Sequence, residues 1–233
     1  MSDRPSLDQG GTAVGERVNP VRLQAPQLDQ NDKTVLCSAV CHCSAAPAIS
    51  RDGRNLKQVC VAQHLRALDD VLQQRSPYKP EVSYDMTKQP PQPILDSQTG
   101  QLPHGWIPGW IRKYWDEDPE HPPFRPGKGM IRRPDVVIVR NTRNPPTQDN
   151  IKQVLEMKFP PDPINEEQAR TYAQITGDER KVVQMSSDEC DCNRHVQVSE
   201  IPIQELGWAA GIASGLLFIL TRGRVPRPPM PAY

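Results

Sequence analysis

The chain of 233 residues is poor in aromatic side chains, at 5%, and its formal net charge is zero. Scarce aromatics with an apolar fraction of 36% exclude a large core extending through the whole length. They point to a compact core of modest size that carries long irregular segments. Zero net charge removes any argument from overall charge for or against a nucleic-acid partner. Met1 to Gly10 is polar and lacks an apolar h-region, so no secretory signal peptide is visible. The expectation is a cytoplasmic location in the producing cell, with any export using another route. No internal repeat is present. Long apolar runs are also lacking. Leu206 to Leu220 carries no charge, but it is 15 residues long, and a membrane-spanning helix needs about 20. Gly211 and Gly215 permit close helix packing there, and Thr221 to Arg224 offers a basic anchor. A buried helix, or one covered by a chaperone or inhibitor partner, is the favoured reading over membrane contact.

Proline is abundant, at 26 residues. Residues 1–33 are polar without sustained periodicity and read as a flexible lead-in. Residues 34–198 read as the folded domain, and 199–233 as an apolar helix with a Pro-rich tail. From Asn55 to Arg75 the spacing of Val61, Leu65, Leu68 and Leu72 predicts a helix with one apolar face, ended by Ser76-Pro77. Lys79 to Pro126 is rich in Pro, Gly and aromatics (Trp106, Trp110, Tyr114, Trp115) and shows little regular structure; it either wraps the core or forms a substrate surface. Packing is the favoured role for these aromatics over base stacking.

Sharper signals follow. Pro134 to Arg140 is a short β-branched run, the pattern of a central strand buried on both faces. Asn141 to Asn150 reads as a loop and Ile151 to Phe159 as a second strand. Asn165 to Gln168 has the form of a capping box, opening a helix that runs to about Thr176 and ends at Gly177. Lys181 to Met185 reads as a third strand.

Side chains alternate along a strand at roughly 3.3 Å per residue. Leu155, Met157 and Phe159 therefore point one way, and Glu156 and Lys158 the other. If the strands pair, the carboxylate of Asp135 meets that of Glu156. Two carboxylates and a backbone carbonyl, that of Met157, suit a hard divalent cation such as Mg2+ (or Mn2+). A lysine beside them can orient an attacking water and stabilise developing negative charge. The window Arg125 to Lys158 adds eight basic residues against three acidic ones, which suits a polyanionic substrate.

The segments Ile131 to Val139 and Leu155 to Phe159 resemble the PD-(D/E)xK nuclease superfamily, most closely its VRR-NUC group. The Cys-rich opening Cys37 to Cys43, the stretch Ser76 to Met86 and the block Gly127 to Cys192 look like antibacterial nuclease effectors of type VI secretion systems. The resemblance implies an α/β fold like restriction endonucleases, a small mixed sheet flanked by helices with Cys-rich and Pro-rich extensions. It implies Asp135 and Glu156 as metal-binding acids and Lys158 as the catalytic lysine. It also implies an upstream acid on the first core helix, for which Glu81 is the best candidate and Asp85 the second. The Gln-x-x-x-Tyr pattern of related nucleases falls on Gln168 and Tyr172, whose spacing of four puts both on one helix face, where they would contact DNA or position the lysine; capping alone for Gln168 and core packing for Tyr172 are the alternatives. The implied activity is a DNase toxin. It would be secreted into a target cell, neutralised by a cognate immunity protein, and accompanied by a secretion chaperone or secretion-apparatus component. A repair or junction-processing nuclease and a non-enzymatic zinc-stabilised adaptor are the competing roles.

The six cysteines form the remaining signal. Cys37, Cys41 and Cys43 precede the core, and Cys190 and Cys192 follow it. Their density favours a structural zinc that pins the two ends of the domain together, with His42 as a substitute ligand. Their spacing is not that of a common zinc finger. Disulfides and buried thiols are the alternatives, and the lack of an export signal favours reduced thiols. Cys60 lies among apolar helix positions and reads as a core residue.

Overall fold

Four consecutive β-branched residues, Val136–Val139, build the central strand of the domain, and all four are buried. The computed structural model describes residues 26–45, 48–49, 55–162 and 165–192. Helix α1 spans Gln30–Ala45, and strands β1 (Ala48–Ile49) and β2 (Asn55–Leu56) form a short hairpin before α2, Lys57–Val71. Strands β3 (Tyr78–Pro80), β4 (Ser83–Asp85) and β5 (Gln92–Ile94) follow. A single turn α3, Ile107–Trp110, runs on as a π-helical turn through Trp115. Then come β6 (Ile131–Arg132), β7 (Val136–Val139), β8 (Ile151–Lys158), α4 (Glu166–Thr176) and β9 (Val182–Ser186).

The main sheet has the order β3-β7-β8-β9. The β3/β7 and β7/β8 pairs are antiparallel and β8/β9 is parallel, with α4 as the crossover that a parallel pair requires. This is the expected α/β architecture, a small mixed sheet flanked by helices. Alternation along the strands sorts the core into two layers. Val136, Ile138, Leu155 and Met157 pack with α1 and α2 through Val35, Leu36, Val40, Val61, Leu65 and Leu68. Val137, Val139, Ile151 and Val154 face the other way, against Tyr172 and Ile175 of α4 and against Val82 and Tyr84. Each such fully buried Val, Leu or Ile contributes about 1.5–3 kcal/mol.

Several sequence expectations are met. The spacing that predicts the second helix and its apolar face corresponds to α2. The cap of α4 also follows the prediction: Asn165 accepts from the Gln168 amide at 3.1 Å, and Gly177 closes the helix at φ +68°. A side chain there would be strained, and a Cβ would stand 3.0 Å from Gln148.

Other expectations need correction. Helix α1 begins at Gln30, inside the segment read as lead-in. Its first turn is held from outside: Asp29 accepts from the Asp32 amide, Tyr78 donates its hydroxyl to Asp32, and Lys152 pairs with both acids. Lys79 to Pro126 is not irregular throughout, since it supplies β4 and β5 of a second sheet, ordered β5-β4-β6. Trp115 in that stretch is buried, stacked on His121 at 4.2 Å, in line with a packing role; Trp106 is exposed. Lys79 itself is buried in an ion pair with Asp69 at 2.9 Å, which locks β3 against the end of α2.

The cysteine reading changes most. The structure pairs Cys37 with Cys190, Cys41 with Cys192 and Cys43 with Cys60. Cys37, Cys41, Cys43, Cys190 and Cys192 are therefore not a zinc set here, because a disulfide sulfur has no thiolate to offer a metal. Two of the bridges do pin the start of the domain to its end, the role foreseen for the metal. The third makes Cys60 both a core residue and a bridged one. The apolar segment Leu206 to Leu220 lies outside the described residues, and among those described no helix is long and apolar enough to cross a membrane.

Candidate active site

Register places the site. Val136 faces Leu155 across the β7/β8 pair, so the next step outward sets Asp135 opposite Glu156. The Met157 amide donates to Asp135 Oδ2 at 2.7 Å, locking the aspartate onto β8. Glu156 and Lys158 share the α4 face, and Lys158 Nζ donates to Glu156 Oε1 at 3.0 Å. All three predicted residues are thus gathered at the paired ends of β7 and β8.

Helix α4 completes the group. Gln168 Oε1 accepts from Lys158 at 3.1 Å, while Gln168 Nε2 donates to Glu156 Oε1 at 2.7 Å and to the Tyr172 hydroxyl at 2.9 Å. Tyr172 in turn donates to the Arg133 carbonyl at 3.2 Å. The side chain of Gln168 therefore serves the site rather than closing a capping box. Burial and the charge of Glu156 push the Tyr172 hydroxyl well above the usual phenol range, so it remains a neutral donor.

Glu81 is close to the site but not on a helix. It occupies the turn between β3 and β4 at φ +52°, and its amide donates to the Asp135 carbonyl at 3.0 Å. Its carboxylate pairs with Arg66 and Arg133. Asp85, the second candidate, is elsewhere: it binds Thr87 and His121. Three neighbours went unnoticed as site residues. Gln58 donates to the Met157 carbonyl at 2.9 Å from α2, and no local pattern marks a helix-surface glutamine for that task. Arg66 and Arg133 hold Glu81, and only Arg133 stood in a basic run.

The acids fit a divalent cation. Glu156 is buried, yet its Oε2 has no hydrogen-bond partner among the described residues. An orphaned carboxylate oxygen of this kind is costly unless a cation takes it. Burial, the nearby Glu156 and, more weakly, Glu81 push the Asp135 carboxyl up to about 7, against the Met157 amide and Lys158, which lower it. Asp135, Glu156 and the second lone pair of the Met157 carbonyl would hold the ion.

A pH dependence follows. The Asp135 carboxyl starts from 3.8 and is raised to about 7 on folding. Between these values the folded protein keeps a proton that the unfolded chain has released. Metal-free stability therefore falls as pH rises through this window and levels off above it. A cation needs the deprotonated carboxylate, so Mg2+ affinity should rise by up to about tenfold per pH unit below pH 7 and flatten above. Calorimetric titration of Mg2+ across that range measures this. A flat affinity, or an unchanged profile in Asp135→Asn, would remove Asp135 from the ion.

A mixed sheet whose adjacent strand ends present Asp, Glu and Lys together, braced by Gln and Tyr from the crossover helix, defines a restriction-endonuclease-like phosphodiester hydrolase. The profile of the VRR-NUC domain matches residues 60–189, more than half of the chain. The chain belongs to the VRR-NUC domain family, and residues 60–189 are a nuclease domain. Searches of curated proteins and of solved structures find no match.

Proposed function

We propose that the chain is a Mg2+-dependent deoxyribonuclease, with Mn2+ as an alternative ion, and that it acts as an antibacterial toxin of a type VI secretion system. The observation that carries the nuclease reading is the meeting of Asp135, Glu156 and Lys158, with one Glu156 oxygen left for a cation. A bound Mg2+ would supply Lewis acidity to the phosphate and lower the pKa of a coordinated water. The protein's own groups do the rest. Gln168 and Glu156 hold the Lys158 ammonium where it can orient an attacking water and offset charge on the phosphate oxygens. Arg66 and Arg133, both about half exposed at 48% and 57%, lie beside Glu81 and can draw a nucleic-acid backbone toward the acids.

The effector reading rests on the resemblance of Cys37 to Cys43, Ser76 to Met86 and Gly127 to Cys192. Three disulfides add support, since such bridges suit a protein that passes through an oxidising compartment. A cognate immunity protein would cover the acid-and-lysine site, and a secretion chaperone or apparatus component would take the apolar segment Leu206 to Leu220. Purified full-length protein should degrade plasmid DNA with Mg2+ and stop on addition of EDTA. Expression in bacteria should be toxic, and co-expression of an immunity protein should relieve it. A folded protein inert on double- and single-stranded DNA with Mg2+ would end the nuclease assignment. Toxicity that persists in Asp135→Ala would separate the toxin role from this site.

A further inference from the structure

Helices α1 and α2 pack side by side, and their contact gathers more sulfur and nitrogen than a disulfide needs. Cys60 and His64 are one turn apart on α2 and share a face. Cys43 reaches them from α1. One ligand atom from each of Cys43, Cys60 and His64 lies within 4.8 Å of the other two. A tetrahedral zinc with bonds of about 2.3 Å to sulfur and 2.0–2.1 Å to nitrogen sets its ligands somewhat closer than that. His42, next to Cys43 on α1, brings its ring to 4.7 Å from the ring of His64, centroid to centroid. Cys43, Cys60 and His64 are buried, with exposures of 0%, 3% and 1%.

His42 as it stands lies outside the group of three; we propose that Cys43, Cys60 and His64 form a zinc site, completed to Cys2His2 when His42 swings in, that is closed while Cys43 and Cys60 are bridged and opens when that bridge is reduced. The sulfurs are held in the disulfide in the oxidised chain. A dithiol reductant delivers two electrons and two protons, breaking the Sγ–Sγ bond to leave two thiols, while the dithiol closes to its own disulfide. Zinc then binds the two thiolates, and the two thiol protons leave to solvent. Burial already keeps the imidazoles in the neutral form that ligates, with His64 held down at about 4 and His42 lowered in the same direction. Two thiolates and two imidazoles in a tetrahedron select zinc over hard cations such as Mg2+, so this site does not compete for the ion of the carboxylates. It also lies close to them in the chain: Cys60 follows by two residues the Gln58 that holds the Met157 carbonyl. Cys37, Cys41, Cys190 and Cys192, which the sequence groups with Cys43 as candidate zinc ligands, do not form a comparably tight group among the described residues.

Cobalt reports the ligand set directly. Full-length protein, oxidised or reduced with a phosphine, is titrated with Co2+ and then with Zn2+. The reduced chain should take up one Co2+ with a thiolate-to-cobalt charge-transfer band and the strong visible bands of a tetrahedral site, and zinc should displace it. The oxidised chain should show neither. Cys60→Ser should lose the bands, Cys37→Ser with Cys41→Ser should keep them, and His64→Cys should shift them to lower energy as one nitrogen becomes sulfur. Reduced wild-type protein without the charge-transfer band overturns the site. So does a spectrum unchanged by His64→Cys, or bands that vanish in the Cys37→Ser, Cys41→Ser protein while Cys60→Ser keeps them.

Discussion

Glu156→Gln lowers nuclease activity by about a thousandfold or more and leaves the metal-free protein no less stable than wild type at pH 8. Removing one well-placed electrostatic group from an active site costs about a hundred- to a thousandfold, and Glu156 also supplies the oxygen that has no other partner. The amide that replaces it still accepts from Lys158 and Gln168, so local packing is kept. It no longer repels Asp135, whose carboxyl is raised partly by the charge of Glu156. Loss of function with retained or improved stability is the signature of a residue held for chemistry at the expense of the fold. Lys158→Ala should also abolish turnover, but by another route. It removes the ammonium and leaves the two carboxylates, so Mg2+ binding persists or tightens while cleavage stops. Calorimetry beside a plasmid assay separates the two. A Glu156→Gln protein that binds Mg2+ as wild type does would show that the cation is held elsewhere. One that melts much earlier would show that the loss of activity is a folding defect.

How much of this site could be read from the chain depended on whether each residue is placed by its neighbours in sequence. Glu156 and Lys158 are legible because strand alternation alone puts them on one face, and Leu155 and Met157 identify which face is core. The cap at Asn165 is equally local, and it delivers Gln168 and Tyr172 to the same side of α4. Glu81 is different. It reaches the vicinity of Asp135 through a positive-φ turn between two strands, and Pro80 hides the strand before it because proline reads as a breaker. Gln58 is further from legibility, since its partner Met157 is 99 residues away and only the packing of α2 on the sheet joins them. Helix α1 was obscured by its cysteines, which read as a ligand cluster when they are the buried face of a helix. The pairing of the cysteines was beyond reach in principle, because six allow fifteen connectivities and no local rule selects one.

The two long bridges give the second large effect, and it should be markedly non-additive. Cys37–Cys190 and Cys41–Cys192 span 153 and 151 residues and lie side by side between α1 and the segment after β9. A bridge closing a loop of that size removes denatured-state entropy worth about 5 kcal/mol. Once one bridge is closed, however, the second adds only a small ring to a loop that already exists. Replacing Cys37 and Cys190 by Ala, or Cys41 and Cys192 by Ala, should therefore cost far less than the full amount, mainly through the loss of buried sulfur. Replacing all four should cost about 5 kcal/mol and bring the chain near its unfolding threshold at 37 °C, since small domains have only about 5–15 kcal/mol in total. A thermodynamic cycle of urea denaturations on the three variants measures the coupling. If each pair alone costs the full amount and the losses add, the bridges stabilise through native contacts around α1 rather than through loop closure. If all four alanines cost almost nothing, the packing of Val35, Leu36 and Val40 on the sheet holds α1 without covalent help, and a reduced form of the nuclease would remain folded in a reducing cytoplasm.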